Sequence, residues 1–307
     1  MTASDQTGPR PGRRPDEPSS RQRGAVLYRR HLDAQEVPDE FELLGRSWDL
    51  GPGVFCPTFT PVTELFTEWL PYPREGRFLE MGGGAGVTAV VAAAQSGCRR
   101  VVASDISAAA VDNARRNADR HGVAERMTVT RSDLFAALGP ADRFDLIYWK
   151  SNFTKPADGF VNDTDLHHAF FDPGYDAHRR FLQDAPRHLA PGGRLFLGFV
   201  GNAGDPDLLH RLCDDHGLDL VLFRSETRRL EVRLDFKLLE IVPSAGRTWA
   251  DVVQPDTAVE PVTAAEPNTV TPDAARDGCR DGDGDGDGDG DGASSEGSGR
   301  SVGTEQL

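Results

Sequence analysis

A glycine-rich segment between an apolar run and a helix-like run restricts the fold of this chain more than any other feature. The apolar run Arg77–Met81 is followed by the letters GGGAG at positions 82–86 and then by the helix-like segment Val87–Gln95. Glycine lets the backbone turn tightly and lets a ligand approach it closely. The free N–H groups of the following helix can bind an anion. A strand, a glycine loop and a helix in this order predict a ligand-binding βα unit.

The same alternation continues along the chain. Short apolar or β-branched runs predict strands at Arg77–Met81, Arg100–Ser104, Met127–Thr130, Phe144–Trp149, Arg194–Val200, Leu218–Phe223 and Leu230–Ile241. The segments between them predict helices at Val87–Gln95, Ala108–His121, Ala169–Leu189 and Pro206–His216. The sequence Pro191-Gly192-Gly193 is expected to end the third of these helices and to lead into a strand.

This order of elements predicts an α/β fold. Strands that alternate with helices through short connections form a mostly parallel sheet covered by helices on both faces. The last two strands are joined only by residues 224–229, which are too few for a helical crossover, so these strands should pair antiparallel. We therefore expect a Rossmann-like sheet of seven strands, mostly parallel, with a C-terminal antiparallel hairpin.

Composition and charge predict four segments. Residues 1–23 are rich in Pro, Arg, Ser and Gly and should be disordered. Residues 24–75 should form a helical or cap segment, and residues 76–243 the folded domain. Residues 244–307 should form a disordered acidic tail with an Asp-Gly repeat. The stretch 285–296 matches the letters of a calcium-binding loop, but its helix-poor flanks favour a solvated polyanion.

The same counts exclude several functional classes. The net charge is −15, and residues 243–307, with 14 acidic and 4 basic side chains, carry −10 of it. The remaining −5 includes no basic stripe for a phosphate backbone, so we expect no nucleic-acid partner. The four cysteines have no zinc-ligand spacing, so no metal site is expected. No run is long enough to cross a membrane and no secretory signal is present, so we expect a cytoplasmic protein with no membrane partner.

Acidic residues at the ends of three successive predicted strands indicate the ligand. Glu80 can bind the ammonium group of S-adenosylmethionine (SAM), and Asp105 can accept both ribose hydroxyls. Ile106 is placed to pack on the adenine ring, and Asp133 to accept its amino group. A dinucleotide fingerprint would need glycine at position 87, which is Val87. The pattern therefore favours SAM.

Residues 50–242 resemble the class I SAM-dependent methyltransferases, in particular the methyltransferase small-domain group that includes protein N5-glutamine methyltransferases. The resemblance rests on Pro61-Val62-Thr63-Glu64, on the Asp105–Val111 segment with Asn113 and Asn117, and on Ser132-Asp133-Leu134-Phe135. It implies methyl transfer with SAM as cofactor. The cofactor-binding residues that we expect are Thr63, Glu80, Gly82, Gly84, Gly86, Asp105, Ile106, Asp133 and Leu134.

The chain departs from that group at its catalytic motif. The fourth strand of the group ends in N-P-P-Y, whose Asn side chain holds a planar nitrogen, whereas residues 148–153 here read YWKSNF. Direct alignment puts Lys150 at the Asn position, and a shift of two residues puts Asn152 there. Residues 24–75 are also too few for the helical recognition domain of those enzymes. Protein glutamine is therefore a minority expectation for the substrate.

The segment after the fourth strand is rich in acidic side chains and also contains His167 and His168. Several carboxylates there suggest a cationic substrate, because carboxylates match a guanidinium fork. The alternative is a solvated loop whose aspartates cap helices. The substrate-binding residues that we expect are Asp163, Asp165, Asp172 and Tyr175. The catalytic residues that we expect are Trp149, Lys150, Asn152 and His167.

From these patterns we expect SAM-dependent N-methylation of a small polar metabolite that contains nitrogen, such as an amine, a guanidine or arginine. O-methylation of a small molecule and N5-methylation of a protein glutamine are alternatives. A SAM-binding protein without catalysis is the alternative from another class, because Lys150 stands where Asn is expected. The sequence does not determine the oligomeric state.

Overall fold

A computed structural model describes residues 19–32 and 38–253 of the chain. Helices are α1 (Ser20–Leu32), α2 (Val62–Trp69), α3 (Val87–Ala94), α4 (Ala108–Arg120), α5 (Asp165–Phe170), α6 (Asp176–Asp184), α7 (Pro206–Asp215) and α8 (Trp249–Val252). Strands are β1 (Glu40–Leu43), β2 (Arg46–Asp49), β3 (Arg77–Met81), β4 (Arg100–Asp105), β5 (Met127–Arg131), β6 (Phe144–Lys150), β7 (Leu189–Val200), β8 (Leu218–Arg229) and β9 (Arg233–Pro243).

The main sheet has seven strands in the order β5-β4-β3-β6-β7-β9-β8. The first five are parallel, and β9 pairs antiparallel with both β7 and β8. Helix α3 packs against both α2 and α4, and α6 packs against α7. The predicted fold class is thus confirmed: a mostly parallel Rossmann-like sheet that ends in an antiparallel hairpin.

Register places the carboxyl ends of the central strands side by side. Met81 at the end of β3 lies opposite Ser104 of β4 and Trp149 of β6. The order in which strands are added to the sheet changes direction at β3, because β4 lies on one side of β3 and β6 lies on the other. In open α/β sheets, ligands bind in the crevice at this point. The sheet therefore gathers the ends of three separate chain segments around one crevice.

The predicted helix Ala169–Leu189 was wrong as a single element. The structure has α5, a 3₁₀ turn at Pro173–Tyr175, α6 and a second 3₁₀ turn at Ala185–His188. Pro173 lacks an N–H donor, and Gly174 adopts a φ of 65°. Both features interrupt a continuous helix. Residues 191–193 lie within β7, where a register shift against β6 accommodates them, so they do not end a helix.

The chain termini also differ from the sequence expectation. Helix α1 begins at Ser20, within the segment predicted to be disordered, and residues 40–49 form a β-hairpin in the segment predicted to be helical. Helix α8 lies beyond residue 243, where the acidic tail was expected to begin. Residues 1–18, 33–37 and 254–307, including the Asp-Gly repeat and the calcium-loop match, lie outside the described residues.

Candidate functional site

A cleft of about 1080 Å³ of empty space, counted out to the solvent at its mouth, opens at the carboxyl ends of β3, β4 and β6. The glycine loop, the end of β6 and Asn152 just beyond that strand all line it. Eight of the nine predicted cofactor residues line this cleft: Thr63, Glu80, Gly82, Gly84, Asp105, Ile106, Asp133 and Leu134. Helix α5 contributes Asp165, His168 and Ala169 to the lining.

The glycine loop needs three left-handed residues. Gly82, Gly84 and Gly86 have φ values of 65°, 54° and 83°, a region that side chains other than glycine's rarely adopt. A Cβ on Gly84 would meet nothing within 4 Å, so the backbone there is open to a ligand. Gly86 does not line the cleft. A Cβ on it would lie 3.0 Å from the Cα of Ala114, so Gly86 allows α3 to pack closely on α4.

Asp105 is held at the end of β4 by two backbone amides. Its Oδ2 accepts a hydrogen bond from Gly84 N–H at 2.9 Å, and its Oδ1 accepts one from Ser107 N–H at 2.9 Å. Burial raises the pKa of this carboxyl, an effect that the two amides oppose. Each carboxylate oxygen keeps further lone pairs, which suits hydroxyl donors such as those of ribose.

Glu80 is the second desolvated acid of the cleft. It is 4 % exposed, and its Oε2 accepts a hydrogen bond from Ala89 N–H at 2.8 Å. Burial raises its pKa to about 8, against the lowering effects of hydrogen bonds from Thr88 and Ala89. A buried carboxyl with so little compensation favours a cationic partner. The ammonium of SAM would supply one.

Asp133 and Leu134 follow β5 and line the cleft on the other side of Asp105. Leu134 takes a left-handed conformation with φ 48°, and its carbonyl accepts a hydrogen bond from the Ser132 hydroxyl at 2.6 Å. The Asp133 carboxylate pairs with Arg180 at 2.8 Å. Any contact of Asp133 with an adenine amino group would therefore be made by a carboxylate that already has a cationic partner.

Lys150, the last residue of β6, places a buried cation in the cleft. Its Nζ lies 4.6 Å from the centre of the Phe55 ring. Burial lowers its pKa to about 8, while the negative charges of Asp105 and Glu80 act in the opposite direction. The cleft thus holds two desolvated acids and one desolvated base.

Asn152 lies two residues beyond Lys150 and has one unused polar atom. Its Nδ2 donates to the carbonyl of Phe171 at 2.9 Å. Its Oδ1 is buried and has no hydrogen-bond partner within residues 19–32 and 38–253. Such an orphaned acceptor is costly unless a ligand supplies a donor. Trp149 also lines the cleft and packs against His178 and Phe181, with ring centres 4.8 and 4.9 Å away.

Four predicted catalytic or substrate residues lie outside the cleft lining. The ring of His167 bonds the Tyr28 hydroxyl at 2.9 Å and Asp163 at 2.8 Å, which fastens α5 to α1.

Asp172 is 2 % exposed and bonds His178 at 2.6 Å. Tyr175 is fully buried, and its hydroxyl bonds the Phe153 carbonyl and the Asp205 amide. Internal partners already use these polar groups, and of the four predicted substrate residues only Asp165 lines the cleft.

The sequence analysis noted His167 and His168 together but put only His167 among the expected catalytic residues, whereas the structure places His168 in the cleft lining. The signal was available, because His168 lies three residues after Asp165 on α5 and residues at this spacing share a helix face. It also missed Asn162, which bonds His168 and the Phe171 carbonyl. That contact depends on how the loop before α5 folds back and has no pattern in the sequence.

The residues that the structure describes form neither a metal-binding cluster nor a membrane-spanning helix. Within residues 19–32 and 38–253, no group of three His, Cys, Asp or Glu side chains is placed to hold a metal ion. In the same ranges, no helix combines the length and the apolar character needed to cross a membrane.

Comparison with known proteins places the chain among methyltransferases. A family model described as Methyltransferase small domain matches residues 49–216. A release factor glutamine methyltransferase of Xylella fastidiosa is 34% identical over 196 residues, which are 58% of this chain and 69% of the relative. A ribosomal protein uL3 glutamine methyltransferase of Bradyrhizobium diazoefficiens is 40% identical over 133 residues, 39% of each chain. A solved methyltransferase of Pyrococcus furiosus is 15% identical, with a TM-score of 0.47 over 72% of this chain and 97% of that one.

Proposed function

Because the chain belongs to the methyltransferase small-domain family and is an S-adenosylmethionine-dependent methyltransferase, we propose that its methyl acceptor is a nitrogen atom held by Asn152. The observation that carries this proposal concerns Asn152, a residue of the cleft lining. Its Oδ1 is buried and receives no hydrogen bond from the described ranges of the chain. An N–H of the acceptor would supply that donor and would orient the nitrogen lone pair.

The remaining cleft residues fit SAM. We propose that Glu80 binds its ammonium, that Asp105 binds its ribose hydroxyls, and that Gly82 and Gly84 let its amino-acid end approach the backbone. Ile106, Leu134 and Asp133 would contact the adenine, and Thr63 would close the pocket from α2. Bound SAM supplies an electrophilic methyl group, so that a nitrogen–carbon bond forms as the carbon–sulfur bond breaks and sulfur keeps the electron pair.

The charges in the cleft favour an uncharged acceptor. The cationic-substrate hypothesis rested on a cluster of carboxylates, but Asp163 and Asp172 bond histidines outside the cleft. Lys150 adds a cation beside the expected position of transfer. A neutral amide or amine nitrogen avoids repulsion from this ammonium. Its departing proton can pass to water at the open mouth of the cleft.

The names of the relatives provide a first acceptor to test, the side-chain amide of a protein glutamine. A small amine, guanidine or amino acid is the second candidate, and the carboxylate of Asp165 at the cleft favours it. O-methylation comes third, because an orphaned acceptor atom is not needed to recognise a deprotonated hydroxyl. A panel of acceptors incubated with methyl-labelled SAM and followed by mass spectrometry separates these classes.

Asn152→Ala tests the proposal directly. Removal of the acceptor atom should lower kcat/KM by about 10²–10³-fold, the usual effect of deleting one positioned hydrogen-bonding group at a reacting centre. Calorimetric affinity for S-adenosylhomocysteine should stay within about threefold, because Asn152 is not assigned to the cofactor.

Asn202→Ala, which removes an amide that bonds Arg233 and Asp235 outside the cleft, is the matched control. Full activity of Asn152→Ala, or methyl groups found on oxygen, would contradict the proposal.

A further inference from the structure

The outermost strand of the main sheet exposes a run of apolar side chains. Strand β8 is the last strand in the sheet order and pairs only with β9 among the residues that the structure describes. Val221, Leu222 and Phe223 follow one another on β8 and are 47 %, 54 % and 40 % exposed. Within residues 19–32 and 38–253, the other exposed large apolar side chains are the isolated Leu32 and Val161. Isolated exposed apolar residues are ordinary, but a contiguous run marks an interaction surface.

The backbone of β8 is open on the same side. A strand at the edge of a sheet directs N–H and C=O groups away from its one neighbour, and proteins usually protect such edges with Pro, Lys, a short strand or a bulge. Strand β8 is 12 residues long and contains neither Pro nor Lys. Its one bulge, between Leu222 and Arg224, leaves the ladder with β9 regular from Leu218 to Leu222. The edge is therefore a template for a further strand.

The exposed aromatic ring on this edge is held in a fixed position. The ring of Phe223 meets the buried ring of Phe196 edge to face, with centres 5.1 Å apart. The guanidinium carbon of Arg194 lies 5.2 Å from the centre of the Phe223 ring, and Arg194 is itself fixed by two hydrogen bonds of 2.7 Å to Glu240. A surface that is already ordered loses little conformational entropy when a partner binds.

The charges at the two ends of the apolar run are opposite. Residues 214–219, just before the run, include three aspartates and no Lys or Arg, a net of −3. Residues 224–233, just after it, include four arginines and two glutamates, a net of +2. Two copies of β8 laid antiparallel bring the acidic end of each beside the basic end of the other, whereas a parallel arrangement brings like charges together. The charge pattern of this edge is therefore complementary to itself.

The C-terminal segment of the same chain is a poorer partner for this edge. Prolines interrupt residues 254–272 at every fifth or sixth position, and each lacks the N–H group that a ladder needs. The Asp-Gly repeat at 281–292 has no apolar side chain to cover Val221, Leu222 and Phe223. A second copy of β8 supplies both a continuous backbone and apolar side chains.

We infer that β8 is a homodimer interface, in which two copies of the chain pair their edges antiparallel about a two-fold axis through the run at residues 221–223. A two-fold contact uses the same patch on both copies and closes at two, so it covers the exposed edge without building a fibre. The residues that line the SAM cleft include none from β7, β8 or β9. The interface is therefore separate from the cleft, and the inference does not rest on the proposed function.

The first test is the oligomeric state of the full chain by sedimentation velocity. Wild type should pass from monomer to dimer between about 1 and 100 µM, as expected for an interface of modest area. Leu222→Lys places a charge in the middle of the edge and should weaken association at least about 10-fold. Val161→Lys adds the same charge at an exposed apolar residue outside β8 and should associate like wild type. A monomeric wild type at 100 µM, or equal association by Leu222→Lys, would overturn the inference.

The second test exchanges charges to examine the antiparallel arrangement. One variant combines Asp215→Arg with Asp219→Arg, and the other combines Arg224→Glu with Arg229→Glu; all four side chains are exposed. Each variant alone should be monomeric where wild type is dimeric, because both ends of its β8 then carry one sign. An equal mixture should form dimers again, which also shows that both variants are folded. Dimers of either variant alone, or a mixture that stays monomeric, would contradict antiparallel self-pairing.

The third test distinguishes a second copy from a segment of the same chain. Hydrogen–deuterium exchange of the backbone amides in residues 218–229 should slow as the wild-type concentration rises from about 1 to 100 µM, because edge amides gain partners only in the dimer. In Leu222→Lys the exchange of these amides should not change with concentration. Slow exchange at every wild-type concentration would show that the chain covers its own edge and would overturn the inference.

Discussion

At the scale of single residues, the cleft holds three ionisable groups whose pKa values are shifted by burial. Burial raises the pKa of Glu80 to about 8 and lowers that of Lys150 to about 8, and it also raises the pKa of Asp105. Each shift shows that burial disfavours the charged form of the group, and this free-energy cost is present before any ligand binds. A ligand with a sulfonium and an ammonium would favour ionised Glu80. Cofactor binding is therefore expected to be linked to proton release.

This linkage can be measured. Below pH 8 Glu80 is mostly protonated and Lys150 mostly charged, so binding of SAM at pH 7 should release protons and its affinity should rise as pH increases from 6 to 8. Calorimetry at pH 7 in buffers with different ionisation enthalpies gives the number of protons released. Glu80→Gln should weaken binding and reduce that number. Equal proton release by the variant and the wild type would show that Glu80 does not bind the ammonium.

At the scale of elements, the glycine loop is held by the helix that packs beside it. Asn117 of α4 is fully buried, and its Nδ2 donates to the carbonyl of Ala85 at 2.8 Å and to that of Asp49 at 2.9 Å. One side chain thus links the loop, α4 and the hairpin strand β2. Close approach of α3 to α4 requires glycine at position 86. The loop conformation depends on this packing as well as on its own glycines.

Gly86→Ala should therefore destabilise the fold by more than left-handed strain alone. Gly122→Ala is the matched control, because Gly122 has a φ of 65° but nothing within 4 Å of an added Cβ. The control should lose about 1–2 kcal/mol, and Gly86→Ala a further 1–3 kcal/mol from the contact with Ala114. Urea denaturation at an unchanged m-value measures both. Equal losses would mean that α4 moves aside at no cost.

At the scale of the whole molecule, the site exists because distant parts of the chain meet at one edge of the sheet. Residues from the Gly53–Pro57 segment, the ends of β3, β4, β5 and β6, and helix α5 line a single cleft. A ligand there contacts only the folded arrangement, so binding stabilises the entire fold by mass action. Loss of one contact should reduce this stabilisation without unfolding the protein.

S-Adenosylhomocysteine at about 100 times its Kd should raise the Tm by roughly 5–10 °C, which corresponds to about 2.7 kcal/mol in a domain of this size. Asp105→Ala should lower the affinity and shrink the shift at the same ligand concentration. Asp112→Ala, on the exposed side of α4 where it pairs with Arg115, should retain the full shift. Differential scanning fluorimetry gives all three values. No shift in the wild type would contradict the assignment of the cleft to SAM.

Local sequence patterns were sufficient to predict the strands of the main sheet and the cofactor. Alternating apolar runs and helical segments predicted all seven strands of the main sheet, its mostly parallel order and the C-terminal hairpin. Glycines at 82, 84 and 86 and the acids that end β3 and β4 indicated a SAM methyltransferase, which the family match confirms. These features are predictable because strand periodicity, glycine conformations and strand-end positions are short-range properties.

Only the tertiary structure decided how polar side chains after β6 are used. The aspartates and histidines of residues 163–178 read alike in the sequence, yet Asp172 and His167 bond inside the fold while Asp165 and His168 line the cleft. Pro173 and Gly174 broke a helix that periodicity predicted. The Asn152–Phe171–Asn162 contact joins residues 19 and 9 positions apart. Such contacts depend on how the chain folds back on itself, which side-chain chemistry alone does not specify.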